Sequence, residues 1–311
     1  MPCKFESQSA SMRFFRSVGL ERVAWSLRRL HCPVDAGALV LEVGSGGNPY
    51  ARANVLLDAH ETTRERHWAP LTTDRPTVLG FVERLPFKDR SFDFVIASHV
   101  LEHSAQPERF LAELQRVAKA GYIEVPDAFM ERINPYLDHR LEITCRDNRL
   151  LIRKKAGSIV ERDTVELYED RVKPFLTREL IPVRPFAFHV RYYWDDKIDF
   201  TVVNPEADAS WATETDSRWS AAPASGVRAR LQSFVLKAAR WVLSQNRRNT
   251  HIDLHQLLIC PHCGSASLSI DSQRISCNGC KSVYPVQRGI PLMYPPERAG
   301  LPENVLQARQ P

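Results

Sequence analysis

The stretch GALVLEVGSGGNPY, residues 37–50, decides the fold. Leu39 to Val43 is a short apolar run bounded by glycine, the pattern of a strand buried on both faces. Gly44 and Gly46 then permit a tight turn and let a ligand approach the backbone closely. A helix starting just after such a turn would offer free N–H groups to an anion or a polar ligand. A lone G-x-G is often only a turn. The dinucleotide fingerprint G-x-G-x-x-G needs a third glycine, and Pro49 stands there, which argues against a nicotinamide dehydrogenase.

Working outward, four further apolar runs follow. They are ANVLLDA (53–59, with Asp58 at its end), TVLGF (77–81), FDFVIAS (92–98) and GYIEVPD (121–127). A helical pattern spans Glu108 to Ala118, where Phe110, Leu111, Leu114 and Val117 recur on one face. Strands alternating with helices imply βαβ units, a mostly parallel sheet and a doubly wound α/β domain. In such sheets ligands bind outside the carboxyl ends of the strands. Glu42 to Asn48, Asp58, Gly80 to Leu85, and Ser98 with His99 all fall at such ends, so four strand ends are expected to converge on one site.

These segments resemble the class I S-adenosylmethionine-dependent methyltransferases. Glu42-Val43-Gly44-Ser45-Gly46 resembles the first motif of that family, and Asp58 matches its ribose-binding acid. GFVERLPFKDRSFDFVIASHVLEH (80–103) and RVAKAGYIEVPD (116–127) are similar to its later segments. The resemblance covers roughly residues 35–130. It implies S-adenosylmethionine as cofactor, held by Glu42, Gly44, Ser45, Gly46, Asn48, Asp58, Glu83, Arg84, Leu85, Ser98 and His99. Two positions depart from the family. Asn48 stands at a third small-residue position, where its tolerance of left-handed backbone can preserve the turn. Phe81 stands where the family often has an adenine-binding Asp, so adenine must be held by stacking, by Glu83 or by backbone. His99, Glu102 and Asp127 are candidates for a general base, with His139 a more distant one.

His99, Glu102 and His103 also spell H-x-x-E-H, a zinc-protease signature. Two histidines four apart must share a helix to grip one ion, yet FDFVIAS runs straight into His99. Only Val100 onward can be helical, so the string is expected to mark the fourth strand end of the cleft. A protease would carry two zinc sites, one of them independent of the cysteines.

That other site is near the C-terminus. Cys260-Pro-His-Cys263 and Cys277-Asn-Gly-Cys280 can supply four thiolates to one tetrahedral, structural zinc. With the following YPV (284–286) and RGIP (288–291), this segment resembles the small zinc-ribbon domain that activates methyltransferases of tRNA and translation factors. The resemblance covers about residues 254–295. Here the ribbon would be fused in cis, which raises its effective concentration for docking. Cys3, Cys32 and Cys145 are expected to be reduced thiols.

The rest sets bounds. The 311 residues suggest about two domains. Apolar residues make up 43% and charged ones 25%, enough for a sizeable core, and the net charge of +5 permits an anionic partner without requiring one. No apolar run reaches the ~18 residues of a membrane span, and a cytoplasmic location is expected. The basic N-terminus lacks the apolar core and cleavage site of a secretory signal. The expected organisation is an N-terminal helical segment (1–33, with one helix over 10–31), the α/β domain with hairpin additions (34–205), a linker (206–226), a basic amphipathic helix (227–250), the ribbon (251–296) and a tail (297–311). The hairpins are placed at 140–155 and 188–203. The helix at 227–245 can lie on a membrane surface or pack on its own chain. The acceptor is expected to be a small molecule or glycan, with RNA or a translation-related protein as the alternative and a non-catalytic adaptor as a third reading.

Overall fold

The computed structural model describes residues 7–63, 70–133, 135–136, 138–157, 168–211, 238, 242, 244–249 and 251–296. Its centre is a six-stranded sheet. The strands are β1 (Val40–Val43), β2 (Val55–Asp58), β3 (Thr77–Leu79), β4 (Phe92–Ser98), β5 (Ala118–Pro126) and β8 (His189–Asp195). Their spatial order is β3-β2-β1-β4-β5-β8. All neighbours are parallel except β8, which runs antiparallel to β5 with Gly121 opposite Trp194 and Val125 opposite Val190. The order reverses direction at β1, which creates the crevice between the β1 and β4 carboxyl ends.

Side chains alternate between two cores because successive residues of a strand point to opposite faces. Leu41, Val43, Val95, Ala97, Ile123 and Val125 enter one core, where Phe110, Leu111, Leu114 and Val117 of helix α3 (Pro107–Val117) cover them. Val40, Phe94, Ile96 and Tyr122 enter the other, closed by Tyr50 and Tyr193 with Cys32 and Val34 packed alongside. The link from β1 to β2 holds no helix. Residues 44–54 form turns and bends, so the expected helix start after the glycines is replaced by a loop. Asn48-Pro49 and the glycines favour turns over a first helical turn.

The N-terminal segment differs from expectation in two ways. The single helix over 10–31 is divided into α1 (Ala10–Ser17) and α2 (Glu21–Leu27), followed by a 3-10 turn at Arg28–Leu30. Gly19, at φ 78, makes the break. Nor is the segment simply a solvated helix, because Arg28 is buried and bonded to the sheet.

A separate sheet has the order β6-β7-β9. Strands β6 (Leu141–Arg146) and β7 (Arg149–Lys154) form the expected hairpin, with Asp147 and Asn148 both at positive φ in its two-residue turn. The second expected hairpin is absent. β8 joins β5 in the main sheet, whereas β9 (Phe200–Val202) pairs parallel to β7. Period-2 patterning identified both strands but says nothing about which neighbour each one chooses. Cys145 on β6 is disulfide-bonded, contrary to the expected free thiol; sequence separation does not report which thiols meet in space. Helix α4 (Ala128–Ile133) lies between β5 and β6. The expected linker beyond 211, most of the helix at 227–245 and the tail lie outside the described residues.

The C-terminal ribbon is a four-stranded antiparallel sheet of β10 (Leu268–Ile270), β11 (Arg274–Cys277), β12 (Val283–Gln287) and β13 (Ile290–Pro291). It docks on the edge of the main sheet. Met293 N–H donates to the Leu79 carbonyl of β3 at 2.7 Å, and Leu292 pairs with Leu79 in parallel register. Lys88 and Leu257, and Ile259 and Pro86, exchange further backbone bonds at 2.9 and 3.0 Å. Leu258, Cys260, Ile275, Tyr284 and Met293 extend the core that contains Val78, Leu85 and Phe87. An exposed strand edge is a template for pairing, and here the chain covers its own. Docking in cis is therefore a feature of this structure.

Candidate functional site

A cavity of about 970 Å³ opens at the carboxyl ends of β1, β2 and β4. Glu42, Gly44, Ser45, Gly46, Asn48, Asp58, Glu83, Ser98, His99 and Glu102 line it. The structure thus brings together most of the residues named from the strand ends. Arg84 points elsewhere, donating to the His262 carbonyl of the ribbon at 2.6 Å. Leu85 is core, with its N–H bonded to Glu113. Asp127 caps the start of α4 by accepting from Phe129 N–H and ties it to β6 through Thr144; it is not among the lining residues.

The glycine loop is built by close approach. Gly44 and Gly46 have φ of 65 and 59. A Cβ on Gly44 would lie 2.1 Å from Val100 Cγ2. We therefore expect Gly44→Ala to cost about 2 kcal/mol or more, from left-handed strain plus overlap. Urea unfolding measures it, and Val100→Ala in the same chain should return part of the loss; a change within about 0.5 kcal/mol refutes the reading. Asp58 holds the loop from the other side: Oδ2 accepts from Gly46 N–H at 2.9 Å and Oδ1 from His60 N–H at 3.0 Å. Glu42 is buried and accepts from Tyr50 N–H at 2.7 Å; burial raises its carboxyl to about 8, against the pull of Arg29. Ser45 Oγ is buried without a hydrogen-bond partner. An orphaned donor in a cavity wall fits a polar ligand there.

The β4 end is an electrostatic cluster. His99 sits at φ 58, between Glu124 (Nε2–Oε1 3.3 Å) and Glu102 (Nδ1–Oε1 3.4 Å). Burial alone would lower the imidazole, but Glu102 and Glu124 outweigh it and raise it to about 9. About a third of the side chain (36%) still faces the cavity, and water there screens the pair, so the direction is the useful result. A histidine that is already protonated is a poor general base. Burial opposes ionisation of Glu124, yet Arg28 and His99 hold it well below the usual carboxylate range. The Arg28 guanidinium grips both Glu124 oxygens, at 2.8 and 3.0 Å, and Ser98 Oγ adds a bond of 3.0 Å.

Behind His99 lies His189, its ring 5.3 Å away. Burial and then His99 lower it to about 4. Its folded value lies below its unfolded one, so the folded state binds fewer protons as pH falls. Stability is then complete above the ordinary histidine value of 6.5 and is lost toward about 4, with a slope approaching about 1.4 kcal/mol per pH unit. Denaturation between pH 7 and 4 should show this slope, and His189→Gln should flatten it; an unchanged slope in the variant refutes the assignment.

Sequence reasoning missed Arg29, Ala59, His60, Tyr136 and Asp138 in the lining. Arg29 comes from the N-terminal segment and bonds the Asn48 carbonyl. No strand-end rule could reach it. Phe81 lines the cavity and packs on Tyr294 of the ribbon, ring centroids 5.2 Å apart, while Tyr294 OH donates to the Ala59 carbonyl at 2.8 Å.

In the ribbon, the four sulfurs of Cys260, Cys263, Cys277 and Cys280 lie within 4.8 Å of one another. Two pairs are 3.5 and 3.6 Å apart, close to the ~3.8 Å edge of a tetrahedron with Zn–S near 2.3 Å. Each C-x-x-C closes as the same knuckle. Gly264 N–H bonds the Cys260 carbonyl and Lys281 N–H the Cys277 carbonyl, with Gly264 and Lys281 both at positive φ.

Comparison with known proteins agrees with this division. Residues 41–123 match the model of a methyltransferase domain, and residues 251–289 that of the Trm112p-like proteins. The chain thus carries a methyltransferase domain and a C-terminal Trm112p-like domain. It is 31% identical over 154 residues to an uncharacterised methyltransferase of Mycolicibacterium vanbaalenii, covering 45% of this chain and 59% of that protein. It is 29% identical over 147 residues to one of Mycobacterium leprae, covering 42% and 53%. The chain thus spans little more than half the length of these relatives. Among solved structures, one chain of the complex between the Haloferax volcanii Trm112 methyltransferase activator and a methyltransferase aligns with a TM-score of 0.35 and 19% identity. That alignment covers 60% of this chain and 96% of the other. Among the described residues no helix is long and apolar enough to cross a membrane.

Proposed function

We propose that the protein transfers a methyl group from S-adenosylmethionine to an oxygen or nitrogen of a small-molecule or glycan acceptor. The observation that carries this reading is the cavity at the β1, β2 and β4 ends of a methyltransferase-family domain. It combines a glycine loop, a buried acid at the second strand end and an unpartnered Ser45 hydroxyl. Asp58 would receive the ribose hydroxyls, since a carboxylate accepts from two donors while keeping its loop bonds. Gly44, Ser45 and Gly46 would cradle the amino-acid end, and Phe81 would pack on the base. The cofactor supplies an already activated methyl carbon. The residues therefore act mainly by placing the two reactants, which can account for much of the rate. His99, held cationic between two carboxylates, orients the β4 end rather than taking a proton. The four cysteines would hold a structural zinc with no open position.

The Trm112p-like domain favours a second reading, methylation of tRNA or a translation-related protein. Titration calorimetry with S-adenosylmethionine tests the cofactor. A screen with labelled cofactor against glycans, small molecules, tRNA and proteins then tests the acceptor. Absence of cofactor binding at about 1 mM, a free energy near 4 kcal/mol, overturns both readings. Label appearing only in tRNA or protein selects the second.

A further inference from the structure

The same cavity wall holds a group of side chains that cofactor binding does not use. Glu102 and His103 follow β4 in a 3-10 turn, Leu101–His103, and His139 lies just before β6, separated from it by Arg140. Arg140 N–H bonds the Glu102 carbonyl at 2.7 Å and so pins the two segments together. One ligand atom from each of Glu102, His103 and His139 lies within 4.8 Å of the others.

Three observations point to a cation there. Glu102 is 2% exposed, and neither of its oxygens has a well-formed hydrogen bond; the His99 contact at 3.4 Å is long and of ion-pair type. The ion pair with His99 offsets part of the cost of burying this charge, but both oxygens still lack the hydrogen-bond partners that a buried carboxylate needs and that a cation would replace. Both imidazoles have Nδ1 tied to an oxygen. His139 Nδ1 lies 2.6 Å from Glu131 Oε2, and His103 Nδ1 3.3 Å from the Asp138 carbonyl. Donation through Nδ1–H selects the tautomer whose Nε2 is the ligating nitrogen. Finally, Glu131 is 3% exposed and anchored by Lys155. A carboxylate behind a ligating histidine is the usual outer-shell support of a metal site.

We propose that Glu102, His103 and His139 form a second divalent-metal site, distinct from the four cysteines, with an open position facing the cavity for an oxygen of the methyl acceptor. Two imidazoles and one carboxylate suit zinc with a fourth, exchangeable ligand. A hydroxyl bound there would be acidified and could lose its proton to cavity water. The role assigned to the metal rests on the methyl-transfer reading and narrows it to an oxygen acceptor. The H-x-x-E-H string then contributes Glu102 and His103 to a metal, while His99 does not take part.

The test uses the full chain, saturated with zinc, dialysed and counted by mass spectrometry. Two zinc ions per chain are expected, and one in His139→Ala. Glu131→Gln, which keeps the ligands, should weaken the second ion about 10–100-fold. Acetohydroxamate, an oxygen chelator of open zinc sites, should bind the wild-type chain and not His139→Ala. One zinc in the wild type overturns the proposal, as does a second ion that persists in His103→Ala/His139→Ala. Zinc counts that stay at two without acetohydroxamate binding overturn the open position. S-adenosylmethionine titrated into the same samples separates the two ideas. Two zinc ions without cofactor binding support the site and refute methyl transfer; cofactor binding with one zinc does the reverse.

Discussion

Asp58→Ala is expected to lower S-adenosylmethionine affinity about 100-fold or more. The carboxylate sits at the end of β2, buried, and supports Gly46 and His60 while facing the cavity. Its removal would take away the proposed acceptor for two ribose hydroxyls together with the anchor of the glycine loop. Two hydrogen bonds to a charged group are worth about 1.5–3 kcal/mol each, and about 2.7 kcal/mol is already 100-fold. Asp58→Asn keeps one acceptor oxygen and should lose less. Calorimetry gives both numbers. Equal affinity in wild type and the alanine variant would remove Asp58 from the cofactor site.

Removal of the zinc proposed for the four cysteines should have the largest effect on stability. A structural zinc contributes about 10–16 kcal/mol to the fold of a small domain, comparable with the whole stability of an ordinary domain. With chelator, the ribbon should unfold and release β3 from Met293. The edge of the sheet and the apolar surface around Val78 and Phe87 would then meet water. We expect a fall in thermal midpoint of at least about 5 °C for the α/β domain, with dye binding that reports exposed apolar surface. Cofactor affinity should fall with it, because Tyr294 supports both Phe81 and the Ala59 carbonyl in the cavity wall. Cys277→Ser should reproduce the effect without chelator. A midpoint and an affinity that ignore chelation would show the ribbon to be an independent appendage.

Much of this architecture was legible in the chain. Short apolar runs located β1, β2, β4 and β5, because a strand buried on both faces has little choice but to be largely apolar. Asp58 and the Ser98-His99 pair could be placed because a parallel sheet puts its strand ends on one side. The four cysteines were readable because metal geometry demands close pairs. Legibility failed where partners are distant in sequence. Arg28 and Glu124 are 96 residues apart, and neither position carries a local signal for the other. Arg84 and Leu85 sit beside Glu83 in sequence, but the short 3-10 turn there, Val82–Arg84, sends Val82 and Glu83 to the cavity and turns Arg84 and Leu85 away from it.

By itself, then, the sequence determined the parallel sheet, the glycine loop and the thiolate set, since each follows from local periodicity or from spacings of a few residues. Only the tertiary structure decided that β8 and β9 part into different sheets, that the ribbon pairs with β3, and that His139 meets Glu102 and His103. These depend on strand pairing and packing between segments tens to hundreds of residues apart, where the energy of a contact is set by three-dimensional neighbours that no local pattern encodes.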